Sequence, residues 1–152
     1  MWNHRTVGAE FITGAPHIAT VRQQLPASPM EVWACLQDAE AWKVWLGLKE
    51  VTWTSELGPG ATRIVRDGPV SIHEEFFLWE PGEVMAFRFA RSILPVKALT
   101  EEYRLTDNGD GTTELAWTFS VEGAFPLAGA LVLRQLTALG RRTAPQLAAY
   151  LV

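Results

Sequence analysis

Residues 125–152 read FPLAGALVLRQLTALGRRTAPQLAAYLV, the pattern of one long helix, and the rest of the fold is predicted to be built around this stretch. Mostly apolar residues recur along it at steps of three or four, so they share one face. These residues are Val132, Leu136, Leu139, Thr143, Leu147 and Tyr150. The first turns, residues 127–133, are apolar nearly all round, which predicts that other elements cover that end on several sides. Such a helix needs a large apolar partner surface.

Two helix-weakening residues, Gly140 and Pro145, lie in the second half of this helix. Glycine weakens the order of a helix backbone, and an internal proline removes a donor and clashes with the preceding turn. We therefore expect a bend between them. Either Thr143 caps a separate terminal helix with Pro145 in its first turn, or the bend lets the last turns move against residues 42–46 and open a cavity.

The chain upstream of the helix predicts the partner surface as a run of β-strands joined by short turns. Consecutive strands of this kind form an antiparallel meander. The predicted strands are His17–Leu25, Val51–Thr54, Thr62–Arg66, Val70–Trp79, Val84–Arg91, Leu99–Thr106 and Thr113–Glu122. Residues 1–16 are weakly patterned, and we interpret them as an extension that lies on a single domain formed by residues 17–152.

Two short helices are predicted between the first two strands. Residues 28–31 read SPME, a capping box with proline at the first helical position, so one helix begins there. Asp38 can cap the second helix, which carries Trp42 and Trp45 on one side and ends at Gly47.

Composition excludes several classes of function. The chain has 152 residues and a formal net charge of −4, which argues against a nucleic-acid partner. Its longest apolar run, residues 124–133, is too short to span a bilayer, and no signal peptide is expected. The single cysteine, Cys35, excludes an internal disulfide and fits a reducing, cytoplasmic location. Seven tryptophans suit large aromatic surfaces that face a core or a cavity.

Strand alternation predicts a first carboxylate inside the sheet. The apolar face of the last strand carries Leu115, Trp117, Phe119 and Val121. This face must pack against the helix. The preceding strand has Leu99, Tyr103 and Leu105 in phase with Glu101, and it turns Thr100, Glu102, Arg104 and Thr106 toward water. Glu101 is therefore predicted to point inward.

The hairpin at Pro81-Gly82 predicts a second inward carboxylate. Pairing Trp79 with Val84 across this turn directs Glu74 inward. The same phase directs Ile72, Phe76 and Leu78 inward, on the face that carries Met85, Phe87 and Phe89. It also places Glu75 opposite Arg88 on the outer face, as an exposed ion pair. A one-residue slip or a bulge would reverse the orientation of Glu74.

The order of these elements resembles the START-like helix-grip superfamily, in particular its polyketide cyclase/dehydrase and lipid-transport branch. The likeness is carried by residues 25–33 (LPASPMEVW), Asp38 with Trp42 and Trp45, Glu75-Phe76 with Trp79-Glu80-Pro81, Gly109-Asp110-Gly111-Thr112, and the closing helix. Over residues 15–152 it implies an α+β helix-grip fold, in which an antiparallel, curved sheet of six to seven strands wraps around the C-terminal helix. It also implies an elongated apolar cavity between sheet and helix. It implies no single chemistry, because its members include carriers, aromatase/cyclases and partner-binding modules.

The candidate catalytic residues are Glu101, Glu74 and Tyr103. An inward carboxylate in an apolar cavity should have a raised pKa, and it could transfer protons or anchor a polar ligand head. The structural alternative is a buried glutamate satisfied by Tyr103 or by one of Arg63, Arg66 and Arg91. The predicted ligand-lining residues, which could equally be plain core, are Trp42, Trp45, Phe76, Phe87, Phe89, Glu101, Tyr103, Trp117, Phe119 and Leu136.

Other chemistry has little support in the sequence. Three histidines without a paired spacing predict no metal site, and His73 is predicted to lie on the outer face. Cys35 lies among apolar helix residues and is predicted to be a packed thiol. No glycine-rich phosphate loop or nucleophile elbow is present, so no cofactor is predicted.

Three functions remain open at this point. The first is binding of a small hydrophobic or amphipathic molecule, lipid- or polyketide-like, in a cavity on the order of several hundred Å³ between sheet and helix. The second is a polyketide cyclase/dehydratase-type enzyme that uses the inward carboxylates. The third is a partner-binding module with a collapsed cavity. The expected partner is a small hydrophobic molecule, with no nucleic acid and no integral membrane segment. The oligomeric state is open, and a homodimer is compatible with the sequence.

Overall fold

The computed structural model describes residues 1–152 and contains eight strands and four helices. In chain order these are β1 (Trp2–Asn3), α1 (Ala9–Gly14), β2 (His17–Leu25), α2 (Pro29–Gln37), α3 (Ala39–Trp45), β3 (Glu50–Trp53), β4 (Thr62–Asp67), β5 (Val70–Glu80), β6 (Val84–Ser92), β7 (Val96–Asp107), β8 (Thr113–Gly123) and α4 (Ala128–Tyr150). The strands from β2 to β8 confirm the predicted ones, and their ends differ from the prediction by at most three residues.

The strands form one antiparallel sheet in the order β2-β8-β7-β6-β5-β4-β3, and β1 adds a short pairing to β6. Helix α4 packs along β2 and β8 on one face, and α3 contacts both α4 and β3. The α+β helix-grip fold with two short helices after the first long strand is therefore confirmed. The main core lies between the sheet and these helices.

Helix α4 is one uninterrupted helix that runs through Gly140 and Pro145. Thr143 caps no separate helix, because it is buried within α4 and its Oγ1 donates to the carbonyl of Leu139 at 2.8 Å. The expectation of a separate terminal helix was therefore wrong. The expected bend between Gly140 and Pro145 stays a prediction. The predicted cover around the start of the helix was also wrong, because Leu127 and Leu131 are more than half exposed.

The caps of α2 and α3 follow the sequence signals. Ser28 Oγ accepts from the Glu31 amide at 3.3 Å and donates to the Glu31 carboxylate at 2.9 Å. The glutamate thus bonds the serine hydroxyl. Asp38 accepts from the Glu40 amide at 3.0 Å and caps α3. These caps present Trp42 inward, where its Nε1 donates to the carbonyl of Leu36 at 2.7 Å.

The β5–β6 hairpin has a different register from the predicted one near its turn. Glu80, instead of Trp79, lies opposite Val84, and the pairing shifts between Phe76 and Leu78. Because of this shift, Trp79 and not Leu78 packs against the core.

From Glu74 to Phe76 the predicted pairing of this hairpin is confirmed, and a second shift lies between His73 and Glu74. Phe76 lies opposite Phe87, and Glu75 lies opposite Arg88. The Arg88 Nε donates to the Glu75 carboxylate at 3.0 Å in the predicted outer ion pair. The same register directs Glu74 inward, where it is buried.

The outer face of β7 was predicted to face water, which is confirmed for Arg104 and Thr106 but wrong for the first half of the strand, which is covered. Thr100 and Glu102 are both buried. Helix α1 lies over β7 and β8, and Ser120 Oγ donates to the carbonyl of Ile12 at 2.7 Å. Arg104, which stays exposed, bonds the Glu102 carboxylate at 3.1 Å. Strand alternation could not show this cover, because the residues that provide it are distant in sequence.

Residues 1–16 also interlock with the sheet where β6 and β7 diverge. The pairing of β6 with β7 ends at Arg88–Thr100, and the amides of His4 and Arg5 then bond the carbonyls of Ala90 and Lys97. The ring of His4 is buried. Its Nδ1 donates to the Val96 carbonyl at 2.9 Å, which leaves Nε2 to accept from Ser92 Oγ at 2.7 Å.

Candidate functional site

A cavity of about 180 Å³ lies between α3, α4 and the strands β4 to β7. It is lined by Trp42, Leu46, Leu48, Arg63, Val65, Ile72, Glu74, Phe87, Phe89, Leu94, Glu101, Leu136 and Leu139. The cavity is smaller than the several hundred Å³ predicted from the sequence. Five of the ten predicted ligand-lining residues line it: Trp42, Phe87, Phe89, Glu101 and Leu136.

The other five predicted lining residues fill the space behind the cavity. These are Trp45, Phe76, Tyr103, Trp117 and Phe119, all almost fully buried. Trp45, Tyr103 and Phe119 pack around Trp117, with ring centroids 5.8, 4.9 and 4.9 Å from its own. Phe76 packs on Phe87, with the centroids 4.9 Å apart. Because these large rings pack together, they leave less open volume than their number suggested.

The mouth of the cavity is aliphatic. Its half-buried side chains are Leu46, Leu48, Ile72, Leu94, Leu136 and Leu139. Only Leu136 was predicted from the sequence. Leu46 and Leu48 follow α3, and Leu94 lies in the β6–β7 turn. Ile72 of β5 was predicted only to point inward and Leu139 of α4 only to share the apolar helix face, so no common opening was indicated.

The floor of the cavity contains a buried ion pair. Arg63 is 1% exposed, its Nε donates to Glu74 Oε1 at 2.7 Å, and its Nη2 lies 2.6 Å from the same oxygen. The sequence had named Arg63 as one of three possible partners. The guanidinium carbon also lies 4.2 Å from the ring centroid of Trp42 and within 5.3 Å of the rings of Trp53, Phe76 and Phe87.

One nitrogen of the Arg63 guanidinium has no hydrogen-bond acceptor. Arg63 Nη1 is buried and has no hydrogen-bond partner in the protein. Leaving a charged donor without a partner costs free energy, so such a group is a place where a ligand oxygen is stabilising.

Glu101 lies beside the ion pair with a different set of partners. Its Oε1 accepts from Trp117 Nε1 at 2.9 Å and from the Tyr103 hydroxyl at 3.3 Å. Burial, and then the negative charge of Glu74, raise the pKa of Glu101 to about 8. Glu101 is thus largely protonated at neutral pH.

The neighbouring groups complete the electrostatics of the floor. Burial raises the pKa of Glu74, and Arg63 acts in the opposite direction. Burial and the nearby Glu101 raise the pKa of Tyr103, so its hydroxyl remains a donor. The floor therefore combines a guanidinium, its carboxylate partner and a neutral acid beneath an aliphatic mouth. Such a site can bind an oxygen atom of a mostly apolar molecule.

Two residues of low predicted interest lie outside this site. His73 is half-buried on β5 and does not line the cavity. Cys35 is buried on α2, and burial raises the pKa of its thiol to about 11, so it stays protonated.

A sheet packed around a long C-terminal helix, with a cavity between them, defines the helix-grip class of proteins. The chain belongs to the polyketide cyclase / dehydrase and lipid transport family, whose model matches residues 16–152. An uncharacterized protein of Mycobacterium tuberculosis (strain H37Rv) is 37% identical over 148 residues, which cover 93% of this chain and 88% of that protein. An uncharacterized protein of Mycobacterium bovis matches to the same extent.

Solved structures show the same fold at low sequence identity. A START superfamily protein from Mycobacterium smegmatis is 13% identical with a TM-score of 0.76, over 89% of this chain and 97% of that chain. An aromatase/cyclase from Streptomyces sp. R1128 is 18% identical with a TM-score of 0.64, over 89% of this chain and 92% of that chain. None of the helices of our protein is long and apolar enough to cross a membrane.

Proposed function

We propose that the protein binds a small amphipathic molecule in the cavity between sheet and helix. The apolar part of the ligand contacts the aliphatic mouth, and a carbonyl, carboxylate or hydroxyl oxygen reaches the floor. There it accepts from Arg63 Nη1 and from the protonated carboxyl of Glu101. Membership of the polyketide cyclase / dehydrase and lipid transport family supports hydrophobic ligand binding in general.

The observation that carries this proposal is the unpartnered nitrogen of Arg63. A guanidinium that is 1% exposed has lost its water, and Glu74 takes only its Nε and Nη2. An oxygen from the ligand would supply the missing acceptor in an apolar setting, where a charge-assisted hydrogen bond is strong. A purely apolar ligand would leave the same donor unpaired.

The size of the cavity restricts the ligand. About 180 Å³ is below the usual range of small-molecule sites, about 300–1,000 Å³. The floor therefore holds a compact polar end. The remaining apolar part extends through the half-buried mouth, where Leu136 and Leu139 of α4 lie on one side and Ile72 lies on the other.

Ligand chemistry tests this proposal. We would titrate the protein with 2-decanone and with decane and follow tryptophan fluorescence, because Trp42 lines the cavity. The ketone should bind and decane should bind at least about tenfold more weakly, the equivalent of one hydrogen bond to a charged donor. Leu139→Trp, which fills the mouth, should abolish ketone binding, and Leu57→Gln on the distant β3–β4 turn should not. Equal binding to the wild type and Leu139→Trp would reject the cavity as the site.

A proton-transfer reaction at Glu101 is the second candidate function. Its carboxyl has a pKa of about 8 and lines the cavity, and acid–base catalysis is efficient when the pKa is near the working pH. A 2,4-diketone serves as a simple polyketone probe. In deuterated water the wild type should accelerate exchange of its central methylene hydrogens, and Glu101→Gln should not. If neither protein accelerates exchange, the proposal of catalysis fails and ligand binding alone remains.

A further inference from the structure

Exposed apolar side chains concentrate at one end of the molecule. Phe125, Leu127 and Leu131 are 61%, 84% and 56% exposed at the junction of β8 and α4. Trp2, Ile18 and Ile93 are each more than two-fifths exposed and belong to the same end of the sheet. Trp2 pairs beside Ser92 of β6, and Ile18 pairs with Ser120 near the end of β8. We call the six residues the apolar end.

Leu127 has a backbone conformation that its side chain does not favour. Its φ is +72°, and it is the one residue other than glycine with a positive φ. A leucine in this left-handed region is strained, and asparagine or glycine would be more stable there. The side chain is also 84% exposed, so packing within the protein does not offset the strain. Backbone strain that packing does not offset is often retained for a function, so the conformation of Leu127 calls for a functional explanation.

The helix beside this end carries positive charge only. Residues 124–152 contain Arg134, Arg141 and Arg142 and no aspartate or glutamate, although the whole chain has a net charge of −4. All three arginines are exposed. The acidic turns lie at the opposite end of the sheet, with Glu80 and Glu83 in the β5–β6 hairpin and Asp107 and Asp110 between β7 and β8.

We propose that the apolar end and the exposed side of α4 dock onto an anionic lipid surface. The apolar side chains would enter the headgroup layer, and the arginines would contact lipid phosphates, as in helices that lie in a membrane interface. A second copy of the chain fits less well. In a two-fold dimer through this face, Arg134, Arg141 and Arg142 of both copies would approach one another without acidic partners.

The cavity mouth lies beside the proposed docking face. Leu94 of the mouth follows Ile93 in the β6–β7 turn. On α4, Leu136 and Leu139 follow Leu131 within about two turns. Docking depends on surface residues only, so it can be tested in the absence of any cavity ligand. A negative result for docking would therefore leave the proposed ligand binding unaffected, and the reverse also holds.

Vesicle flotation tests the proposal with the full chain. The wild type should float with vesicles of phosphatidylcholine mixed with phosphatidylglycerol, much less with phosphatidylcholine alone, and less at high salt. Leu127→Asn should weaken binding by about tenfold, because a buried leucine side chain contributes at least that factor. The same substitution should raise the thermal unfolding midpoint, since asparagine tolerates the left-handed backbone.

Matched variants separate docking from other effects. Leu131→Gln and Arg134→Gln should each weaken flotation, whereas Leu57→Gln, which removes an exposed leucine from the β3–β4 turn, should not. Absence of flotation for the wild type, or equal loss for Leu57→Gln, would overturn the proposal. A concentration-dependent dimer that Leu131→Gln dissociates, without vesicle binding, would overturn it in favour of a homodimer interface.

Discussion

Glu74 and Glu101 are the same residue type on the same cavity floor, but their partners set different charge states. Glu74 accepts from Arg63 Nε and forms a close ion pair with its Nη2. Glu101 accepts only from the neutral groups of Trp117 and Tyr103. A buried carboxylate without a directly paired cation is unstable. The proton that Glu74 and Glu101 compete for therefore resides on Glu101. The substitutions Glu101→Gln and Glu74→Gln should therefore differ in effect.

Glu101→Gln should change the pH dependence of stability. Unfolded glutamate loses its proton near pH 4.5, whereas Glu101 in the fold loses it near pH 8. Between these pH values Glu101 holds a proton in the folded state that it lacks in the unfolded state. Its contribution to the free energy of unfolding is therefore fully present below pH 4.5 and falls as the pH rises to 8. The loss is on the order of 4–5 kcal/mol. Urea unfolding at pH 5 and pH 8 should show this decline in the wild type and a much flatter profile in the glutamine variant. An equally steep profile in both would contradict it.

Glu74→Gln should be destabilising at every pH where the pair is charged. It removes the anion and leaves the Arg63 guanidinium buried, which costs about 3–5 kcal/mol. The expected result is a lower urea midpoint at pH 7. Half-buried Glu75→Gln on the same strand is the control, because its pair with Arg88 is partly exposed and should contribute less than about 1 kcal/mol. Equal effects of the two substitutions would show that the buried pair adds no stability.

At the scale of the element, α4 tolerates its two helix-weakening residues for different reasons. Gly140 is buried where the helix crosses the sheet, and a Cβ there would lie 3.0 Å from the Phe119 ring and 3.2 Å from Val21. The glycine thus permits close packing. Pro145 faces solvent, so the carbonyl that it leaves without a helix donor can bond water.

Alanine substitutions at these two positions should have opposite effects. Gly140→Ala gains helix propensity but overpacks the contact with Phe119, and we expect a net loss of about 1–2 kcal/mol in the free energy of unfolding. Pro145→Ala restores a backbone donor at an exposed site and should raise it by up to about 3 kcal/mol. Urea titrations should show a lower free energy of unfolding for Gly140→Ala and a higher one for Pro145→Ala than for the wild type.

The gate hypothesis for the end of α4 stays a prediction, and Pro145→Ala tests it without disturbing the core. If the last turns open the cavity, this variant should change the on- and off-rates of 2-decanone while the fold is retained. Unchanged rates would leave the proline with no role in ligand entry.

For the whole molecule, residues 1–16 link strands that the main sheet leaves apart. Val7 and Phe11 pack with Ala98 of β7 in a second small core on the outer face. His4 connects this segment to both Ser92 and Val96. Whether residues 17–152 form a domain that folds without the segment stays a prediction, because these contacts show only that the two parts pack together.

Acid should release the N-terminal segment. Burial lowers the pKa of His4 below its ordinary value of 6.5, so the neutral ring is favoured in the fold. Its contribution is fully present above pH 6.5 and is lost as the pH falls through the lowered pKa. Hydrogen exchange of residues 1–16 should therefore be faster at pH 5 than at pH 7.5, after correction for intrinsic rates. His4→Gln should lose most of this dependence, and an unchanged dependence in that variant would rule out His4 as the cause.

Local patterns in the sequence determined most of the fold. The helical repeat of residues 125–152, the alternation of the strands and the capping signals at Ser28 and Asp38 are short-range properties, and each predicted an element that the structure contains. Alternation also predicted that Glu101 points inward, because strand geometry allows only two faces. The Glu75–Arg88 pair followed from a hairpin, whose partners are close in sequence.

Tertiary structure alone decided the partners and the volume of the site. Arg63 could be named only as one of three arginines, because pairing with Glu74 depends on the register of β4 against β5. The irregularity next to Leu78 changed which side chain reaches the core. The cover of β7 came from residues about 90 positions earlier in the chain. The cavity is small because large rings pack against one another in three dimensions. Spacing along the chain records which face a side chain occupies, but the contacts it makes depend on segments that meet only when the chain folds.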